Sequence, residues 1–219
     1  MTANFADDFA SDTPGGAVVR AATDIRELIL QRVLLPGEQV RQEDLASRLG
    51  ISRGPIREAL QVLAVEGVVR YERNRGYFVT RFTAEEMRQL YLIRDLLESE
   101  VLRSLPPMSA KNLNSLRKIN KKIQEDNNSS SIIRLNRTFH DTLTEHSPLS
   151  LLKSELAHIG RMTTAYQSLS INSLANRHLV VSDHEEMITA LAANDNDLLV
   201  IISRRHREAS LDRLTPILG

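Results

Sequence analysis

Leu45-Ala46-Ser47-Arg48-Leu49-Gly50-Ile51-Ser52-Arg53-Gly54-Pro55-Ile56-Arg57-Glu58-Ala59-Leu60 is the stretch that decides the architecture of this chain. Leu45, Ala46 and Leu49 share one face of a helix ending at Gly50, a residue free to take the left-handed conformation of a tight turn. Ser52 stands where an N-cap belongs, and a second apolar set follows at Ile56, Ala59, Leu60 and Leu63. Two short amphipathic helices joined by a glycine-centred turn predict a helix-turn-helix, whose second helix can lie in the DNA major groove. That helix carries Arg53 and Arg57, four apart and so on one face. Arginine suits both guanine edges and phosphates. The same local pattern also fits two packed helices that merely display arginines.

Outward from this stretch the signals extend to a small domain. A helix is predicted from about Ala17 to Val33, with Val18, Ala22, Ile25, Leu28, Ile29 and Leu30 on its apolar side and Pro36-Gly37 as its stop. Downstream, Val68-Val69-Arg70-Tyr71 and Tyr77-Phe78-Val79-Thr80 flank Asn74-Arg75-Gly76, a turn tolerant of positive φ and therefore a β-hairpin signal. Helices plus hairpin make a winged helix, with Arg75 and Gly76 at the wing tip, near minor groove or phosphate. Residues 1–16 read as a mobile tail.

From Thr83 the period is helical. Thr83-Ala84-Glu85-Glu86 resembles a capping box, and Met87, Leu90, Ile93, Leu97 and Val101 follow at three- and four-residue steps until Pro106-Pro107. Further helical stretches run over about 110–124, 130–146, 148–174, 176–193 and 195–214, broken at Asn127-Asn128, Ser147-Pro148, Asn172-Ser173 and Asn194. The expectation is a mainly α protein: a winged helix-turn-helix over 17–82 and an all-α antiparallel six-helix bundle over 83–219.

Composition narrows the function classes. With 42% hydrophobic and 26% charged residues, 219 residues can build a sizeable core. The absence of cysteine excludes disulfides, thiolate metal sites and cysteine nucleophiles, and fits a reducing compartment. No secretory signal is legible in the acidic Met1–Pro14 segment, and the apolar runs are too short to span a bilayer, so a cytoplasmic protein without a membrane partner is expected. Net charge is zero, yet residues 15–80 hold ten Arg, no Lys and eight acids. DNA binding must then rest on a local stripe of arginines, not on a global field.

Three histidines in the helical half look organised. Asn136 and His140 lie at i and i+4 on one helix, His184 follows Ser182-Asp183, a plausible cap, and His206 lies in the last helix. Imidazoles converging from three helices would hold a divalent metal such as Zn, Ni or Mn, whereas each alone is an ordinary surface or core residue. Arg94 interrupts an apolar face with Glu98 one turn on. It reads either as an i, i+4 surface pair or as a cavity arginine that grips a carboxylate. Arg161, Tyr166 and Gln167 could add polar contacts there.

The run from Pro36-Gly37-Glu38 through Leu45–Leu60 to Glu66-Gly67 and Gly76-Tyr77-Phe78-Val79 is similar to the winged helix of the GntR family. The remainder resembles the FCD effector domain of its FadR-like branch, in the shorter, six-helix VanR-like type. The resemblance implies a homodimeric transcription factor, usually a repressor, that releases a pseudo-palindromic operator when a small metabolite binds. It places DNA contacts on Ser52, Arg53, Gly54 and Arg57 and on the wing around Arg75 and Gly76. A further arginine contact of some members falls on Glu43, so that role is lost or passes to Arg41. The FCD pattern, Asp-x-x-x-His with two later histidines, implies metal ligands at Asn136, His140, His184 and His206. Asn136 replaces the usual Asp, which implies weaker binding because an amide oxygen is neutral. Two other readings stand beside the regulator: a DNA-binding dimer whose helical domain is only structural, and a three-histidine metalloenzyme.

Overall fold

The computed structural model describes residues 14–163, 165–166 and 174–218. The predicted tail therefore lies outside the described residues up to position 13, as do Gln167 and the break at Asn172-Ser173. The chain divides into two compact units, one up to Arg81 and one from Phe82 onward.

In the first unit, α1 (Pro14–Leu30) begins three residues before the predicted start and ends three residues before the predicted stop. Ala21, Ala22, Ile25 and Ile29 form its buried stripe. The chain then turns at Gly37 (φ +85), whose N–H bonds to Val79 O at 2.9 Å. A Cβ on Gly37 would also press on the Arg81 side chain at 3.2 Å, a second reason for glycine there. Next come β1 (Gln39–Val40), α2 (Gln42–Leu49) and α3 (Arg53–Val65). Gly50 takes φ +63 as the C-cap of α2, as the turn required. Ser52 is the N-cap of α3, although its side chain makes no capping hydrogen bond.

Ile56, Ala59, Leu60 and Leu63 carry α3 into the core. An ion pair at 2.5 Å between Arg26 and Glu66 links the α1 helix to the end of α3. The hairpin strands, β2 (Val69–Glu72) and β3 (Gly76–Val79), turn through Asn74 (φ +63) and Gly76 (φ +88). The sheet order is β1-β3-β2, all antiparallel, with Gln39 opposite Phe78.

The second unit holds α4 (Ala84–Arg103), α5 (Ala110–Glu125), α6 (Ser129–Thr144), α7 (Ser150–Met162), α8 (Leu174–Ala192) and α9 (Asn196–Leu218). The capping box of α4 forms as read: Glu86 N–H donates to Thr83 Oγ1 at 3.2 Å, and Thr83 N–H to Glu86 Oε2 at 2.7 Å. Ser109 and Asn128 cap α5 and α6 with their side chains alone, accepting from the Asn112 and Ser131 N–H groups. Leu102, Leu116, Ile123, Phe139, Leu143, Met187, Ile188 and Leu199 make a fully buried core. The long helix predicted over 148–174 ends instead at Met162, where the Thr163 hydroxyl donates to Ile159 O at 3.0 Å.

The buried face of α4 also differs from the predicted stripe. Met87 and Val101 are buried, but Ile93 is exposed, and Tyr91 and Glu98 point inward instead. No described helix is long and apolar enough to cross a membrane.

Candidate functional site

Two regions carry chemistry, one in each unit. In the first, Ser52, Arg53, Gly54 and Arg57 are all exposed along the start of α3, and Arg41 is exposed at the head of α2. The Ser52 hydroxyl makes no capping bond to α3, and Ser52, Arg53 and Gly54 are exposed together at the helix start, where backbone N–H groups favour an anion. Glu43, on α2, pairs with Arg53 at 2.9 Å. On the wing, Arg75 is exposed and bonded to Glu72, while Gly76 supplies the positive φ that turns the strand.

In the second unit His140 (α6), His184 (α8) and His206 (α9) converge, each offering a ring nitrogen within 4.8 Å of the others. The ring centroids are 5.2, 5.3 and 5.3 Å apart. Their neighbours decide which nitrogens are available. The Asn120 amide donates through Nδ2 to Val181 O at 3.0 Å, so its Oδ1 faces His184 Nδ1 at 3.1 Å and must accept from it. That leaves Nε2 of His184 as a buried lone pair with no protein partner. Asp183 Oδ2 likewise accepts from His206 Nδ1 at 3.0 Å. The Phe139 ring lies flat on His184, with centroids 3.7 Å apart and planes within 4°.

His140 Nδ1 and Asn136 Oδ1 are two further buried polar atoms without a hydrogen-bond partner. Buried acceptors are normally satisfied. Three orphaned ones around a histidine triangle fit a divalent cation, which takes lone pairs without needing a donor. Burial, together with the neighbouring His206, pushes His140 down to about 3, and burial and the other two rings hold His184 well below the usual histidine value. Both rings are therefore neutral at pH 7, the form that ligates metal.

His140, His206 and Asn136 open onto a cavity of about 90 Å³. Arg94 lines it with its side chain 15% exposed, and Nε donates to Glu98 Oε2 at 3.1 Å. Arg94 is thus both an i, i+4 partner and a cavity residue. Glu98 is fully enclosed and accepts from Arg207 at 2.8 Å and Ser203 at 2.8 Å. Burial alone would raise its carboxyl, yet Arg207 and Arg94 hold it far below the ordinary range.

Tyr91, Lys153 and Arg207 also line the cavity. The α7 residues that face it are Lys153, Leu156, Ala157 and Gly160, and Arg161 falls outside that stripe. Tyr166 stands apart as well: its hydroxyl accepts the Phe82 N–H at 2.7 Å and its ring packs on Phe82, bracing the entry to α4. The cap predicted at Ser182-Asp183 is also corrected, because α8 begins at Leu174 and Asp183 sits mid-helix, where it orients His206. Of the remaining histidines, His146 and His178 are exposed and His158 is half-buried.

Asn120, Asp183 and Arg207 were not foreseen. Arg207 had one available signal, a charged residue directly after a candidate ligand on a core helix. Asn120 had none, since its partners lie 61 and 64 residues away.

Comparison with known proteins adds the following. Residues 17–79 match the model of the bacterial regulatory proteins of the gntR family, and residues 89–209 match that of the FCD domain. The chain is 27% identical over 186 residues to the HTH-type transcriptional regulator YdhC of Bacillus subtilis, covering 83% of each. It is 22% identical over 190 residues to the HTH-type transcriptional repressor RspR of Escherichia coli, covering 83% of this chain and 82% of that one. Among solved structures, McbR/YncC of Escherichia coli superposes with a TM-score of 0.80 at 19% identity, over 93% of this chain and 99% of that one.

Proposed function

The chain belongs to the GntR family of transcriptional regulators and carries an FCD domain, and on that premise we propose that it is a ligand-responsive repressor. In this reading it binds a pseudo-palindromic operator as a homodimer. Arg57, Arg53, Ser52 and Gly54 meet the major groove and its phosphates, Arg75 and Gly76 meet them from the wing, and Arg41 touches the backbone. A small carboxylate enters the helical domain and shifts the dimer to a geometry whose recognition helices no longer match the two half-sites. Operator affinity falls by the ligand's differential affinity for the two geometries, and by no more.

The observation that carries this reading is the triangle of His140, His184 and His206 beside a cavity lined by Arg94, Arg207 and Lys153. His140, His184, His206 and Asn136 would hold a divalent cation, Zn, Ni or Mn. Bound there, it would supply positive charge and open coordination positions for a carboxylate. Asn120 and Asp183 hold two of the rings in the ligating tautomer, Phe139 keeps His184 dry, and Arg94 offers its remaining N–H groups to the acid. Among transcriptional regulators of this kind the chain has no need of turnover chemistry, and the site reads as a sensor.

The test is elemental analysis of protein purified without chelator or histidine tag. About one ion per chain, lost in His184→Ala, is the expected result. Wild-type protein that takes up no divalent metal even when dialysed against it refutes the metal half of the proposal.

A further inference from the structure

In the first unit, two of the four arginines assigned above to DNA, Arg53 and Arg75, sit against a carboxylate. At the head of α3, Arg53 Nη2 meets Glu43 Oε1 of α2 at 2.9 Å, with the two side chains 69% and 71% exposed. On the wing, Glu72 holds both Arg75 and Arg70. The guanidinium carbons of Arg75 and Arg70 lie 5.0 and 5.2 Å from the Phe78 ring centre, so both cations are also drawn back onto the strand. Gln39 Nε2 donates to Arg75 O at 2.6 Å and fixes the turn that presents the pair.

We propose that Glu43 and Glu72 are specificity-determining residues, which occupy Arg53, Arg75 and Arg70 in the free protein and so suppress binding to DNA of arbitrary sequence. The inference rests on the DNA-binding reading given above. The Arg53–Glu43 pair is exposed enough to add little to the stability of a fold, so holding the winged helix together does not account for it, whereas Glu72, with its side chain 20% exposed, also braces the wing. Against a polyanion these pairs matter more. Non-specific affinity comes from arginines that neutralise phosphates and release counterions, and an arginine already neutralised by its own chain contributes less. A carboxylate brought close to the phosphates is also repelled. A bidentate contact to a guanine edge outweighs an exposed ion pair, whereas a single phosphate contact does not. The right sequence therefore strips Arg53 from Glu43, and the wrong one leaves it paired. The zero net charge of the chain points the same way, because no global field compensates for the two acids.

The experiment titrates a fluorescent duplex of arbitrary sequence with wild-type protein, Glu43→Gln, Glu72→Gln, Arg53→Ala and Arg75→Ala over a range of salt concentrations. Each glutamine variant should bind about three- to tenfold more tightly, with the slope of log affinity against log salt steeper by about one per arginine released. The thermal midpoint of Glu43→Gln should stay where it is, which a structural role would not allow. If the glutamine variants gain nothing, or gain without a steeper slope, this proposal is overturned and the DNA reading stands. The alanine variants should change little on this duplex but lose affinity for DNA from upstream of the protein's own gene; if neither loses affinity there, the DNA reading itself fails and this proposal falls with it.

Discussion

At the residue scale, the state of His184 is set by one amide. The Asn120 carbonyl oxygen can only accept, so it fixes the proton on Nδ1 and leaves Nε2 as the free lone pair. Asn120→Ala is expected to weaken metal binding about 10- to 100-fold while the helices stay folded, as loss of an orienting partner usually does. Competition with a chromophoric chelator would measure it, and unchanged affinity would show that the ring needs no such support. Asn136 predicts the opposite sign. Its Oδ1 is buried and unpartnered, so Asn136→Asp replaces a neutral oxygen with a charged one and should tighten binding by at least about tenfold. The same substitution should destabilise the metal-free protein, because a carboxylate would then be buried without a partner.

Elements were legible in proportion to how local their causes are. The helix-turn-helix follows from Gly50 and from the apolar spacing of α2 and α3, all within some twenty residues, and it forms as read. The hairpin was off by one residue at each strand, and β1 was missed. Two residues, Gln39 and Val40, become a strand only by pairing with Phe78 and Tyr77, which no local pattern announces. On α4 the hydrophobic period pointed to Ile93, yet the helix turns Tyr91, Arg94 and Glu98 inward, because Arg207 and Ser203 of α9 satisfy the carboxylate. The histidine triangle was legible as three positions, but its orienting partners, Asn120 and Asp183, were not. Arg207→Met should therefore cost about 3–5 kcal/mol in denaturant unfolding, since it strips a buried carboxylate of its nearer cation. A cost below 1 kcal/mol would mean that Arg94 alone suffices.

At the scale of the whole molecule, protonation of the histidines is linked to folding, and so would be the proposed metal. His140 has its value pushed from 6.5 to about 3, so the unfolded chain binds the proton and the folded chain does not. Stability is therefore complete above the unfolded value and falls as pH drops from about 6.5 toward 3, by up to about 1.4 kcal/mol per pH unit for this residue. His184 shifts in the same direction and adds to the slope. Thermal midpoints of the metal-free protein should fall between pH 7 and pH 5, and His140→Gln should flatten the curve. An equal slope in that variant would remove His140 as the cause. Added divalent metal should raise the midpoint with its concentration, because it binds only the folded arrangement.

The central claim couples the cavity to DNA. Its most direct test is fluorescence anisotropy of the protein bound to labelled DNA from upstream of its own gene, titrated with a panel of small carboxylates in the presence of divalent metal. The account predicts that at least one acid releases the DNA from wild-type protein, and that the same acid releases nothing from Arg94→Ala or from His184→Ala. Release that persists undiminished in both variants would contradict it, because the ligand would then be acting somewhere other than the cavity between the histidines and the arginines.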